Sequence, residues 1–155
     1  MILLDTNVLL RYANPVDPAY LVARTAISTL TTAGDTLCLV PQNFYEFWAV
    51  ATRPIPNNGL GLSIAECQQE TSLLKTAFTL LGDHPSLFAE WEGLVVTYSC
   101  HGRVSYDARL VAAMRTHGLT RILTFNGTDF ARYPGIKVMD PHTVAASAPP
   151  PNPIP

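Results

Sequence analysis

Short apolar runs alternate along this chain with segments whose apolar residues recur every three to four positions, the layout of buried strands separated by amphipathic helices. Residues 1–4 (MILL) form the first run, and Asp5 stops it. Asp5-Thr6-Asn7 carries helix-starting side chains ahead of Val8, Leu9 and Leu10. A second helix is predicted over 19–30, with Leu21, Val22, Thr25, Ala26 and Leu30 near one face, and Gly34-Asp35 breaks the pattern. Residues 37–40 read as a strand and 42–52 as a helix, with Pro41 where a first turn tolerates it. Turn composition marks 54–61 as a loop, and Ser63 with Glu66 forms a capping box for a helix to about residue 75. A strand over 78–81, a helix over 86–98, and a helix over 106–117 capped by Ser105 come next. The chain then reads as a strand over 121–124, a helical turn over 127–132 and a strand over 136–139. From Ala145 onward, five prolines in eleven residues read as a tail.

Strands this short and apolar, separated by helices, predict an α/β sandwich with a largely parallel central sheet. The expected division is one domain over 1–144 and a proline-rich tail over 145–155. In such sheets ligands sit outside the carboxyl ends of the strands. Asp5 falls at one such end, and Thr124-Phe125-Asn126 at another.

Composition narrows the function classes. At 155 residues the chain suits one ordinary domain, and 48% apolar residues can build its core. Charged residues are scarce at 14%, against about 25% in an average protein. A net charge of −2 argues against coating nucleic acid by bulk electrostatics but leaves room for a local site. The basic residues concentrate late: residues 1–100 carry a net −5 and residues 101–155 a net +3. No apolar run approaches a membrane span and the N-terminus lacks the features of a signal peptide, so the expected compartment is the cytoplasm. The 3 cysteines, with no C-x-x-C pair, suggest neither a disulfide framework nor a zinc knuckle. The 4 histidines have no ligand-like spacing.

Against that background each isolated carboxylate in an apolar stretch calls for an explanation. Asp5 can serve as a helix N-cap, and a phosphoryl-aspartate role is disfavoured because Asn7 stands where a second Asp is wanted. Glu46 lies among Phe44, Phe47 and Trp48 but off the centre of their stripe, as a solvated position would. Asp107, in the first turn of its helix, gains about 0.3–1 kcal/mol from the helix dipole. Asn126 and Asp129 can close an Asn-Gly turn, or offer oxygen ligands to a hard cation. Three carboxylates converging about 5 Å apart would repel pairwise by roughly 3 kcal/mol at an effective dielectric near 20, and a divalent cation relieves such repulsion.

The blocks LLDTNVLL, FYEFWAVATRP and YDARLVAAMRTHGLTRILTFNGTDFARYPGIKVMDP resemble the PIN domain, specifically the VapC-type toxins of bacterial toxin–antitoxin pairs, over residues 1–141. The resemblance implies a three-layer α/β/α sandwich and a Mg²⁺- or Mn²⁺-dependent endoribonuclease that works with one or two ions. It further implies a homodimer inhibited by a cognate VapB-type antitoxin. Carried over by position, Asp5, Glu46 and Asp107 match the family's three acidic metal-site positions. The fourth falls to Asp129 or, through its amide oxygen, to Asn126. Thr6 and Thr124 are expected as supporting hydroxyls, and Arg103, Arg109, Arg132 and Lys137 as candidates to line an RNA groove. Two alternatives stay open: a catalytically weakened module that binds RNA or protein, and a nuclease of the same fold acting on another nucleic acid.

Overall fold

A computed structural model describes residues 1–148; the remainder of the expected tail, 149–155, lies outside the described residues. Five strands alternate with helices: β1 (Ile2–Leu4), β2 (Leu37–Leu39), β3 (Thr79–Leu80), β4 (Arg121–Leu123) and β5 (Lys137–Met139). Between and after them run α1 (Thr6–Tyr12), α2 (Tyr20–Thr32), α3 (Pro41–Ala51), α4 (Ile64–Ala77), α5 (Leu87–Thr97), α6 (Val104–Thr116), α7 (Gly127–Phe130) and α8 (Pro141–Ala146). The strands form one sheet in the order β3-β2-β1-β4-β5, parallel at every pairing, with Leu3 opposite both Cys38 and Ile122.

β1 and β2 are wholly apolar because both faces of the sheet are covered at its centre. Ile2, Leu4, Leu37, Leu39 and Leu123 pack into a core shared with α1, α2, α3, α4 and α8. Leu3 and Ile122 point the other way, into a second core with α5, α6 and α7. Alternation along a three-residue strand therefore feeds two apolar layers, as expected of a buried parallel sheet. The three-layer α/β/α architecture follows from this.

Three local details decide how the site is held. Residues 54–61 contain a single 3₁₀ turn, Ile55–Asn57, and fold back on the end of α3. The amides of Leu60, Gly61 and Leu62 donate to the carbonyls of Val50, Arg53 and Ala51. At Gly59 a Cβ would sit 1.9 Å from the Arg53 carbonyl oxygen, so this return path admits only glycine.

Helix α6 begins two residues earlier than the sequence suggests. Arg103 occupies its N-cap position and Ser105 lies inside the helix, with its hydroxyl donating to the Gly102 carbonyl at 2.7 Å instead of capping. Asp107 stays in the first turn under either boundary.

The sequence reading also missed α8, whose last two residues fall within the expected tail. Asp140 caps it by accepting from the His142 amide, and Pro141 fits its first turn. Val144 and Ala145 pack on the first core, which provides the burial that a tail lacks.

Candidate functional site

The sheet grows outward from β1 through β2 to β3 and then resumes on the other side of β1 with β4 and β5. The crevice at such a reversal, beyond the carboxyl ends of the strands, is where open α/β sheets bind ligands. Here the chain leaves β1 at Asp5 and β4 at Thr124. A cleft of about 580 Å³ opens there, lined by Asp5, Thr6, Glu46, Asp107, Asn126 and Asp129. Six sequence-predicted site residues from four segments thus line one cleft.

Asp5 is the most tightly held of them, at 8% exposure. Its Oδ2 accepts from the Thr124 hydroxyl at 2.6 Å and from Asn7 Nδ2 at 2.7 Å, while Oδ1 has only a long 3.4 Å contact from the Asn7 amide. Burial pushes its pKa up; the Thr124 and Asn7 hydrogen bonds oppose that shift, and the charge of Glu46 adds to it. Asn7 ties the two strand ends together. It also donates to Thr124 Oγ1 at 3.0 Å and accepts from the Phe125 amide at 3.1 Å.

Glu46 projects from α3 and is held at both oxygens. The Thr6 hydroxyl donates to Oε2 and Gln42 Nε2 to Oε1, each at 2.7 Å. Thr6 is in turn fixed by fully buried Asn43, whose Nδ2 donates to Thr6 Oγ1 at 3.2 Å and to the Leu4 carbonyl at 3.0 Å. Because the Thr6 oxygen accepts from Asn43, its hydrogen is directed at Glu46.

Asp107, half-buried on α6, has its pKa pushed up to about 6. Desolvation is the first cause, followed by the charges of Asp129, Asp5 and Glu46, with Arg132 pulling the other way. The ion pairs among the described residues are Arg109–Asp83, Arg115–Glu90 and Arg121–Asp35, so none of the four cleft carboxylates has a cationic partner in contact. Negative charge is therefore concentrated here with no cation in direct contact among the described residues, although Arg53 and Arg103 line the same cleft.

The donor set suits a hard, hydrated divalent cation: every side-chain donor is a carboxylate, amide or hydroxyl oxygen, without thiol or imidazole. Among the described residues no three His, Cys, Asp or Glu side chains are close enough to form a closed cage. Mg²⁺, which keeps several waters and takes one or two carboxylates, suits such oxygen donors better than a structural zinc does.

The candidate basic residues separate. Arg103 lines the cleft and Arg132 lies within electrostatic reach of Asp107. Arg109 does not line it: its guanidinium bridges Asp83 at 2.7 Å and Gln42 at 3.1 Å. Lys137 opens β5 opposite Arg121, at the amino end of the sheet, and so stands away from the cleft. Sequence reasoning missed Asn7, Gln42 and Asn43 as supporting groups and Arg53 as a cation lining the cleft. The available signal was a Gln-Asn pair entering a helix straight after a buried strand, where polar side chains need partners.

Solved structures share this fold. A toxin–antitoxin complex from Klebsiella pneumoniae is 20% identical, with a TM-score of 0.61 over 91% of this chain and 98% of that one. VapC20 of Mycobacterium tuberculosis, described as a sarcin-ricin loop cleaving toxin, is 16% identical, with a TM-score of 0.65 over 86% and 95%. VapBC2 of Rickettsia felis, bound to promoter DNA, is 14% identical, with a TM-score of 0.67 over 90% and 98%. At these identities the likeness is one of fold. Among curated proteins none matches the sequence. The family model described as the PIN domain matches residues 2–136, a span that takes in all four carboxylates and nearly the whole sheet, and the chain belongs to the PIN domain family.

Proposed function

We propose that this protein is a Mg²⁺- or Mn²⁺-dependent endoribonuclease, the toxin of a toxin–antitoxin pair, hydrolysing RNA phosphodiester bonds in the carboxylate cleft. One observation carries the reading: Asp5, Glu46, Asp107 and Asp129 converge from four segments without an ion-pair partner among the described residues. Membership of the PIN domain family supports it, as do the fold neighbours described as a loop-cleaving toxin and as toxin–antitoxin complexes.

Asp5, Asp107 and Asp129, with the Asn126 amide oxygen beside them, would hold one or two divalent ions, which when bound supply charge neutralisation and Lewis acidity at the scissile phosphate. The protein's own groups do the positioning. Thr124 and Asn7 occupy Oδ2 of Asp5, whereas Oδ1 has only the 3.4 Å contact from the Asn7 amide and keeps lone pairs for a ligand. Glu46, fixed by Thr6 and Gln42, presents its remaining lone pairs as a ligand or as the acceptor for a proton from the attacking water. Arg53 and Arg103, both lining the cleft, offer guanidinium donors to an incoming phosphate.

The cellular setting belongs to the same proposal: a homodimer in the cytoplasm, held inactive by a VapB-type antitoxin. No helix among the described residues is long and apolar enough to cross a membrane.

The test is cleavage of defined single-stranded and looped RNAs with Mg²⁺ or Mn²⁺, against EDTA, for the wild type, Asp5→Asn and Asp107→Asn. Full activity in both variants together with indifference to EDTA would falsify the reading. Asn126 favours a second reading, because an amide at a position that can carry a carboxylate removes one charge from the metal site. A module that binds without cutting would give no calorimetric heat with Mn²⁺ while still binding RNA or a protein partner. Parallel assays on single-stranded DNA separate an RNA from a DNA substrate.

A further inference from the structure

Gln42 is 3% exposed and sits between the cleft and the outer surface of α6. Its Nε2 donates to Glu46 Oε1 at 2.7 Å and to the Tyr106 carbonyl at 2.9 Å, and its Oε1 accepts from Arg109 Nη1 at 3.1 Å. Every one of these neighbours has a single hydrogen-bonding function: the carboxylate and the carbonyl only accept, and the guanidinium only donates. The amide can therefore face only one way. Arg109 is itself anchored through Nη2 to Asp83 Oδ2 at 2.7 Å.

Tyr106 immediately precedes Asp107, so one buried amide joins the carboxylate on α3 to the backbone that carries the carboxylate on α6. The geometry points to Gln42, oriented by Arg109, as the positioning residue that sets Glu46 and Asp107 relative to one another. The inference rests on the proposed role of Glu46 in RNA cleavage, and it reassigns Arg109 from RNA contact to brace. A misplacement of about 1 Å at reacting groups costs on the order of 100-fold in rate, so the brace acts on turnover and not on binding.

The experiment compares wild type, Arg109→Met, Arg109→Lys and Glu46→Gln in steady-state cleavage of one RNA oligonucleotide, with side-chain amide hydrogen exchange of Gln42 followed by NMR on the metal-free protein. Arg109→Met is expected to lower kcat at least tenfold with KM within twofold, and to speed Gln42 side-chain exchange at least tenfold. Arg109→Lys, which keeps a donor, is expected to recover most of both. A raised KM with unchanged kcat and a weaker salt dependence would instead make Arg109 an RNA contact, and unchanged Gln42 exchange would remove the brace. Wild-type rates in Glu46→Gln would overturn the role of Glu46 alone, since exchange still judges the brace. Should Arg109→Met fail to fold, Asp83→Asn, at the exposed end of the chain of contacts, is expected to lower kcat two- to fivefold with the same signature, and wild-type kcat and exchange there count against the brace.

Discussion

The two ends of the sheet treat charge in opposite ways. At the amino end, Arg121 at the start of β4 grips Asp35 ahead of β2 with two hydrogen bonds, 2.6 and 3.3 Å. This forked pair spans two strands and closes its charge locally. At the carboxyl end, four carboxylates share a cleft with no such partner among the described residues, and the Asp107 pKa rises to about 6. The fold evidently can pair an aspartate with an arginine across strands, and it does so where nothing else is asked of the charge. Leaving carboxylates unpaired at the other end costs stability, as the raised pKa of Asp107 records.

The strongest way to break this comparison is to neutralise the unpaired end. Asp107→Asn is expected to lower RNA cleavage by at least 100-fold while raising the melting temperature of the metal-free protein, because it removes a desolvated, mutually repelling charge. Loss of cleavage together with a lower melting temperature would mean that Asp107 is structural. Next in size, excess Mn²⁺ is expected to stabilise the wild type by about 2.7 kcal/mol at 100 times its dissociation constant, and to do little for Asp107→Asn. Differential scanning fluorimetry across a Mn²⁺ series measures this, and equal shifts in the two proteins would place the ion elsewhere.

At the paired end the expected effects reverse. Arg121→Met should cost about 1 kcal/mol in urea denaturation, since the pair is partly exposed, and leave cleavage within twofold. A large loss of activity would show that the amino end influences the cleft. The pH dependence sharpens the same contrast. Asp107 binds its proton more tightly folded than unfolded, so its contribution to the stability of the metal-free protein is full below about pH 4 and lost as pH rises through about 6. Asp5 acts in the same direction. The slope of melting temperature between pH 5 and 7.5 is therefore expected to flatten in Asp107→Asn.

Most of the fold could be read from the sequence because its signals are local. Residues 2–4 and 37–39 are apolar runs with few alternatives to a buried strand, Ile122-Leu123 is a shorter one behind Arg121, and Ser63 with Glu66 forms the capping box that the sequence spells out. Local signals also misled. Ser105 resembles a cap but is the second residue of its helix, and the prolines after residue 148 obscured the Asp140-Pro141 start of α8, whose stability comes from packing on the first core. Within the site, Asp5, Glu46, Asp107, Asn126 and Asp129 stood out as polar residues interrupting apolar patterns.

The supporting groups did not stand out, because their partners are distant in sequence. Asn43 meets Leu4 and Thr6, 39 and 37 positions away, and Gln42 meets Arg109 across 67. No periodicity encodes such pairings. Lys137 and Arg109 show the same limit from the other side: net charge along the chain marked both as candidate RNA contacts, whereas strand register and a side-chain bridge direct them elsewhere. By itself, then, the sequence determined which segments become strands and helices and which oxygens were unusual for their surroundings, since both depend on near neighbours along the chain. Only the tertiary structure decided that four carboxylates share one cleft while another, Asp35, is neutralised at the opposite end of the sheet. That choice depends on strand order and on contacts between remote residues, and neither is written in any local stretch of chain.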